Sequence, residues 1–344
     1  MLKSIKRAAL GFLKTAGVTG LLHDSGWRRR RLAILAYHGI SLADEHLWNG
    51  AQYISAGVFR GRMQALKDLG CSVLPLGEAV SRLAAGDLPV RAVALTFDDG
   101  TSDFGRVAHP ILKEFGFPVT LYLTTFYTEF HRPVFDLMCS YLLWKGRGGS
   151  LDLPALVGRG APTDLRDAAA RDAARDRIFA YARERKLKAG DKDALAASLA
   201  RAVGVDYDSL IERRLLHNLA PDEVRGLARD GVDIQLHTHR HRTPLDRELF
   251  LREIRDNRES IRRMTGADAV HFCYPSGVHH PAFLPWLREA GVVSATTCES
   301  GLASRSSDPL LLPRLLDVSG LSDGEFEGLL SGAASLLPRR QEPR

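Results

Sequence analysis

Two adjacent carboxylates, Asp98 and Asp99, close the apolar run from Ala92 to Phe97, and two histidines four residues apart, His237 and His241, follow another, Val232 to Leu236. Neighbouring carboxylates at the end of a buried segment repel and lose hydration, and a divalent cation is the usual compensation. One aspartate with His237 and His241 makes a facial set of two imidazoles and one carboxylate. Three protein ligands leave positions open for water, which is the design of a catalytic metal centre and not of a structural one. A metal there polarises a carbonyl and lowers the pKa of its water, while the second aspartate takes a proton. The chemistry this predicts is metal-assisted hydrolysis. Two further runs end on polar residues in the same way: Leu32 to Ala36 leads into Tyr37-His38-Gly39, and Ala269 to Tyr274 into Pro275-Ser276-Gly277.

These residues meet only if the runs they terminate lie side by side. From residue 32 onward, apolar runs alternate with helical patterns: strands over 32–38, 71–76, 92–97, 118–123, 232–236, 269–274 and 292–297, with helices between them near 58–70, 77–85, 105–115, 221–231, 245–264 and 281–290. A βαβα rhythm predicts parallel strands joined by crossover helices. About seven such units predict one barrel-like α/β domain, in which chemistry gathers at the C-terminal ends of the strands. The rhythm breaks between about 126 and 219, where the sequence is rich in Ala, Arg and Asp. That stretch reads as a helical insertion, and its composition fits equally a cover over a substrate cleft or a surface decoration.

A chain of 344 residues with 45% hydrophobic and 26% charged residues can bury at least one large core, which excludes disordered, collagen-like and disulfide-scaffold classes. Cys71, Cys139, Cys273 and Cys298 have no short spacing and read as reduced core residues. The formal charge is +6, but residues 1 to 31 hold eight basic side chains against Asp24 alone, a balance of +7 that leaves −1 for the rest. A body so nearly neutral excludes nucleic acid as the partner. The first 22 residues read as a short, imperfect amphipathic helix that Lys14 interrupts before it could span a bilayer. Its longest unbroken apolar run, Ala8 to Leu13, is too short for a secretory signal. The expected compartment is therefore the cytoplasm, with peripheral contact at the inner membrane face. Trp27 followed by four arginines suits anionic lipid headgroups, and a solvated basic tail fits the same residues.

The combination of TFDDG over Thr96 to Gly100 with HTxxH over His237 to His241 resembles the polysaccharide deacetylase family, also called NodB-homology proteins or family four carbohydrate esterases. The resemblance implies a distorted (β/α)7 barrel over residues 32–125 and 215–320. It leaves outside the barrel a basic segment over 1–31, a helical insertion over 126–214 and a C-terminal helix and tail over 321–344. It implies that Asp98 is the catalytic base, that Asp99, His237 and His241 are the metal ligands, and that Thr238 braces their loop. The cofactor implied is a divalent metal, Zn2+ first, with Co2+, Ni2+ or Mn2+ as alternatives. The family's third motif, RxPYG, places a tyrosine backbone amide in the oxyanion hole; here the stretch reads Cys273-Tyr274-Pro275-Ser276-Gly277, which gives that amide to Ser276.

Two departures stand out. Cys273 replaces the arginine that orients the base, and Arg314 or Arg240 is the candidate replacement. The family's C-terminal LxxH is absent after residue 300, and His38, in a Tyr-His-Gly-Ile context similar to permuted poly-N-acetylglucosamine deacetylases, takes the general-acid role. The expected activity is removal of N-acetyl groups from amino sugars of a polysaccharide, glycolipid or saccharide precursor. An O-acetyl carbohydrate esterase and a non-catalytic glycan-binding scaffold are the alternatives.

Overall fold

The computed structural model describes residue 11 and residues 17–130 and 132–336. Most of the amphipathic segment expected over 1–22 and the end of the 321–344 tail lie outside the described residues. Seven parallel strands close into a barrel in chain order: β1 (Arg31–Tyr37), β2 (Ala92–Phe97), β3 (Thr120–Leu123), β4 (Asp233–Leu236), β5 (His271–Cys273), β6 (Ser294–Ser300) and β7 (Leu312–Leu316). β1 pairs with β2 on one side and β7 on the other, which completes the ring. The architecture is a distorted (β/α)7 barrel, as the motifs imply.

One stave differs from the sequence reading. The run 71–76 adds only Ser72–Val73, paired on the outside of β2, because Pro75 ends it and caps the next helix. The seventh stave is instead Leu312–Leu316, whose sequence, Leu-Pro-Arg-Leu-Leu, lacks any strand period because it contains a proline and a charge. Arg314, expected beyond the last strand, therefore sits on a barrel stave.

The period of two along each strand sorts side chains between the inside of the barrel and its helical coat. Val93, Leu95 and Phe97 join the outer core, whereas Ala94 shares an inner cluster with Ile34, Tyr122, Cys273 and Leu312. Continued past Phe97, this alternation carries Thr96 and Asp98 to the inner side. The coat is built by α1 (Ala56–Asp68), α2 (Leu76–Ala85), α3 (His109–Phe115), α7 (Pro221–Arg229), α8 (Arg247–Thr265) and α9 (Phe283–Glu289), with α10 (Asp323–Ser331) after β7; α4 to α6 belong to the insertion. α1 is started by Ser55, whose hydroxyl accepts from Val58 N, and it buries Phe59, Met63 and Leu66 at helical spacing. Each such side chain contributes about 1.5–3 kcal/mol of burial.

In the insertion, α4 (Phe135–Lys145), α5 (Ala168–Glu184) and α6 (Ala189–Ala202) enclose a separate apolar core that includes Met138, Leu142, Ile178, Leu195 and Leu199. Tyr53, from the loop after β1, reaches into that core. The opposite end of the barrel is closed by residues 18–31. Arg28, read as one of four surface charges, is completely buried. Its guanidinium donates to Leu330 O (2.6 Å), Arg31 O (2.6 Å) and Ala92 O (3.2 Å), which ties the N-terminal segment to α10 and to the start of β2.

Candidate active site

β2 delivers Asp98 and Asp99 at its C-terminal end, and the turn that follows sends the two carboxylates apart. Asp98 N–H still donates to Tyr37 O (2.9 Å), so Asp98 continues the sheet. Asp99 (φ 69°) and Gly100 (φ 77°) are then both left-handed, a conformation that aspartate tolerates and glycine adopts freely. Glycine is also required by space, because a Cβ at position 100 would collide with the Leu123 side chain. Asn218 Nδ2 donates to Asp99 O (2.8 Å) and fixes the turn from the far side of the insertion.

Asp98 faces inward and is 2% exposed. Arg314 grips it from β7 with two parallel bonds, Nη1 to Oδ1 (2.8 Å) and Nη2 to Oδ2 (2.7 Å). The guanidinium is itself buried and anchored by Nε to Thr297 O (2.9 Å). Burial alone would raise the Asp98 pKa; the charge and hydrogen bonds of Arg314, followed by the His38 and His237 charges, overcome it and hold the carboxyl at about 2. Asp98 is therefore ionised throughout the physiological range. His38 Nε2 lies 3.7 Å from Asp98 Oδ2, with its side chain partly open to solvent. Of the two arginines considered for the missing motif-three cation, Arg314 occupies that place. Arg240 instead pairs with Glu253 (3.1 Å) and Asp256 (3.5 Å) on α8.

Asp99 faces the histidines. His237 Nε2 and His241 Nε2 each lie 3.2 Å from Asp99 Oδ1, and one donor atom from each of the three residues falls within 4.8 Å of the others. His237 is held on three sides: its backbone N–H donates to Asn257 Oδ1 (2.9 Å), its Nδ1 bonds Cys273 O (2.9 Å), and Tyr122 flanks the ring. A carbonyl at Nδ1 keeps the proton there and turns the Nε2 lone pair toward Asp99, the second-shell arrangement found around metal-ligating imidazoles. Thr238 and His241 both adopt positive φ, and Thr238 Oγ1 accepts from Arg242 N (3.0 Å), which braces the loop between the histidines. Burial works against charge on His241, and the Asp99 hydrogen bond and the two aspartate charges overcome it and raise its pKa. The donor set, its convergence and its oriented tautomer fit a divalent metal.

Ser276 sits in the turn after β5 at φ 55° and ψ 17°. The turn is closed by Gly277 N to Tyr274 O (2.9 Å) and Val278 N to Pro275 O (3.1 Å), neither of which uses the Ser276 amide. Position 277 must be glycine, since a Cβ there would lie 2.7 Å from the Cys298 Cβ. His239 points elsewhere: it is buried and its Nδ1 bonds Thr125 Oγ1 (2.8 Å). Trp48 packs on Tyr53 and Tyr141, and Trp144 on Tyr141.

Three contributors escaped sequence reasoning. Asn257 occupies a core position of α8, in register with Phe250, Ile254 and Ile261; a polar residue on an apolar face was the available signal. Asn218 carried no signal. Cys273, read as a loss, touches three of the site residues, with Sγ 3.1 Å from Arg314 Nη2 and 3.5 Å from Asp98 Oδ2, and its carbonyl on His237.

A model of the polysaccharide deacetylase family matches residues 85–158 and 192–295, just over half of the chain. The chain belongs to the polysaccharide deacetylase family. Bacillus subtilis (strain 168) has a relative named as a polysaccharide deacetylase, YxkH, that is 32% identical over 94 residues, 27% of this chain and 32% of that protein. The chain thus matches about a third of that curated relative's length. Among solved structures, the deacetylase PplD of Streptococcus pyogenes, in complex with acetate, superposes with a TM-score of 0.58 at 19% identity, covering 87% of this chain and 98% of that one. IcaB from Ammonifex degensii gives 0.55 at 16% identity over 89% and 97% of the two chains. The de-N-acetylase from Aggregatibacter actinomycetemcomitans gives 0.54 at 16% over 87% and 99%. At these identities the likeness is one of fold, and it covers nearly the whole of each of these three solved chains.

Proposed function

We propose that this member of the polysaccharide deacetylase family is a metal-dependent carbohydrate N-deacetylase, which hydrolyses the acetamide of an amino sugar in a polysaccharide, glycolipid or saccharide precursor. The observation that carries the reading is the divergence of two neighbouring carboxylates: Asp98 locked by Arg314, Asp99 gathered with His237 and His241. Asp99, His237 and His241 would hold a divalent metal, zinc by the chemistry of the donors, and a bound metal supplies an acidified water and a Lewis acid for the carbonyl. Asp98, ionised and fixed in direction by two hydrogen bonds, accepts the proton that water gives up as it attacks. The Ser276 N–H donates to the oxygen that becomes negative, and an amide donor is indifferent to the serine side chain. His38 protonates the departing amine.

The position of His38, 3.7 Å from the base, suits protonation of a leaving amine, which departs only with a proton. The name of the PplD protein supports deacetylation, and that of the Aggregatibacter de-N-acetylase supports an amide as the bond cleaved. The test is release of acetate from N-acetylated glucosamine oligomers by the purified chain loaded in turn with zinc, cobalt, nickel and manganese. Metal-dependent release that chelation abolishes supports the proposal. Hydrolysis of acetyl esters alone would make the chain an O-acetyl esterase, and no hydrolysis with metal bound would make it a glycan-binding scaffold.

A further inference from the structure

Catalytic residues occupy one end of the barrel; the other end, where the strands begin, has a surface chemistry of its own. Four large apolar side chains are exposed there, all in segments that precede strands: Leu21 (76% exposed) and Trp27 (38%) before β1, Val90 (49%) before β2 and Val293 (56%) before β6. Cations are interleaved with them. Arg29 and Arg30 are exposed beside Trp27, and Arg31 stacks its guanidinium 4.0 Å from the Trp27 ring centroid. Three carboxylates at this end are matched by nearby bases, Asp24 by Arg91 (2.9 Å), Asp230 by Lys113 (3.1 Å) and Asp268 by Arg262 (2.6 Å), while Asp68 and Asp233 bond neutral side chains. Among the described residues Arg29 and Arg30 engage no carboxylate, which leaves two unmatched cations beside Trp27. Lys3, Lys6, Arg7 and Lys14 precede them in the chain with no acidic residue among the first 23. This surface is rigid, because the completely buried Arg28 ties residues 18–31 to α10 and β2.

We propose that this end of the barrel docks on an anionic lipid surface, and that the mouth holding Asp98 and Asp99 faces away from the lipid. Exposed aliphatic side chains and an indole between arginines match the two layers of a bilayer interface, acyl boundary and anionic headgroups. Nucleic acid would meet the cations and leave Leu21, Val90 and Val293 in water. Among the described residues no helix is long and apolar enough to cross a membrane. The seven residues of β1, at about 3.3 Å each and a barrel tilt of roughly 36°, hold the mouth roughly 19 Å above the end where the strands begin. A substrate there is either soluble or the outer part of a saccharide chain. The facing of the mouth rests on the function proposed above; the docking does not.

The experiment is cosedimentation of the full chain with vesicles of phosphatidylcholine, alone or mixed with phosphatidylglycerol. Binding to the mixed vesicles, weakened by salt, is expected. Trp27→Glu and Leu21→Glu should each weaken it roughly tenfold, whereas Phe130→Glu, Leu245→Glu and Val278→Glu, in segments that follow strands at the mouth, should not. If Trp27→Glu lowers the melting temperature, Arg29→Glu with Arg30→Glu makes the same test on side chains that hold nothing in place. Absence of binding to the mixed vesicles, equal binding to both kinds, or loss confined to the mouth variants overturns the proposal. Because the readout is sedimentation, failure of the docking is separate from failure of the deacetylase reading, which acetate release decides.

Discussion

Replacing Arg314 by methionine keeps a long side chain in the barrel and removes the two hydrogen bonds that hold Asp98, at 2.8 and 2.7 Å. In the unaltered protein the Asp98 pKa is about 2, below the ordinary 3.8. The stability this group contributes is therefore complete above 3.8, is lost as pH falls through 2, and is constant between about pH 4 and pH 7. In the variant the carboxyl, 2% exposed in the unaltered protein, loses the cation that outweighed its burial, so its folded pKa is expected to rise above its unfolded one. The folded variant then keeps a proton that the unfolded chain releases, and its stability falls as pH rises. The gap in unfolding free energy between the two proteins widens by ~1.4 kcal/mol per pH unit from about pH 4. It levels off where the raised pKa is passed, near the ~3–5 kcal/mol typical of a buried pair that loses one partner. Urea unfolding of both proteins in chelator at stepped pH measures the gap, and all other titrating groups cancel in the difference. Turnover at pH 7 should fall by at least several-fold, since part of Asp98 is then protonated and the rest has lost the two bonds that fix its direction, while metal content is unchanged because Arg314 makes no bond to Asp99, His237 or His241. A gap that stays constant from about pH 4 to pH 7 would refute the reasoning, for it would mean that Asp98 remains ionised without the arginine.

Further expectations follow from single residues. His38→Ala should slow amide hydrolysis by roughly 10²–10⁴-fold yet leave hydrolysis of 4-nitrophenyl acetate nearly unchanged, because that leaving group departs without a proton; equal losses on both substrates would remove the acid role. Asp99→Ala should abolish stoichiometric metal by elemental analysis while circular dichroism stays native, and metal retained at full occupancy would place the ion elsewhere. Gly100→Ala meets both a left-handed φ and the Leu123 side chain, so a destabilisation of about 1–3 kcal/mol or more with loss of metal is expected. Arg28→Ala removes three hydrogen bonds to carbonyls, two of them fully buried. It should cost several kcal/mol at about 1–3 kcal/mol for each stranded acceptor, without changing turnover of a soluble substrate at low temperature; an unaltered melting temperature would show that residues 18–31 are not part of the folded barrel.

Where local pattern and tertiary demand agreed, the structure was legible in advance. β2 is apolar throughout, followed by two carboxylates, and it is a barrel stave with the site at its end. The HTHRH segment follows an apolar run in the same way, and its first and last histidines meet Asp99. The reading failed where a residue's reason for being there lies across the barrel. Leu312–Leu316 was not read as a strand because Pro313 and Arg314 break its period, yet Arg314 is on that stave for the sake of Asp98 on another. Likewise the +7 of the first 31 residues suggested a free basic leader, although one of its arginines is bonded to the carbonyls of α10 and β2 and is as buried as any leucine.

The same cross-barrel logic explains Cys273. A base-orienting cation needs a partner within hydrogen-bond reach and a low-dielectric wall, and nothing requires it to come from the strand that carries the family's third motif. Here the guanidinium enters from β7, and β5 contributes only a sulfur that lies 3.1 Å from the guanidinium and 3.5 Å from the carboxylate. An arginine at 273 would bring a second cation against the one already buried on Asp98, with no second carboxylate facing that spot. A small, weakly polar thiol fills the space without that charge. The arginine lost at 273 and the one found at 314 are therefore one change, a cation moved between staves of a closed barrel. Cys273→Arg alone should fail to fold or lose activity, whereas Cys273→Arg combined with Arg314→Met should recover part of both. A double variant no better than the worse single one would show that the two positions do not share this task.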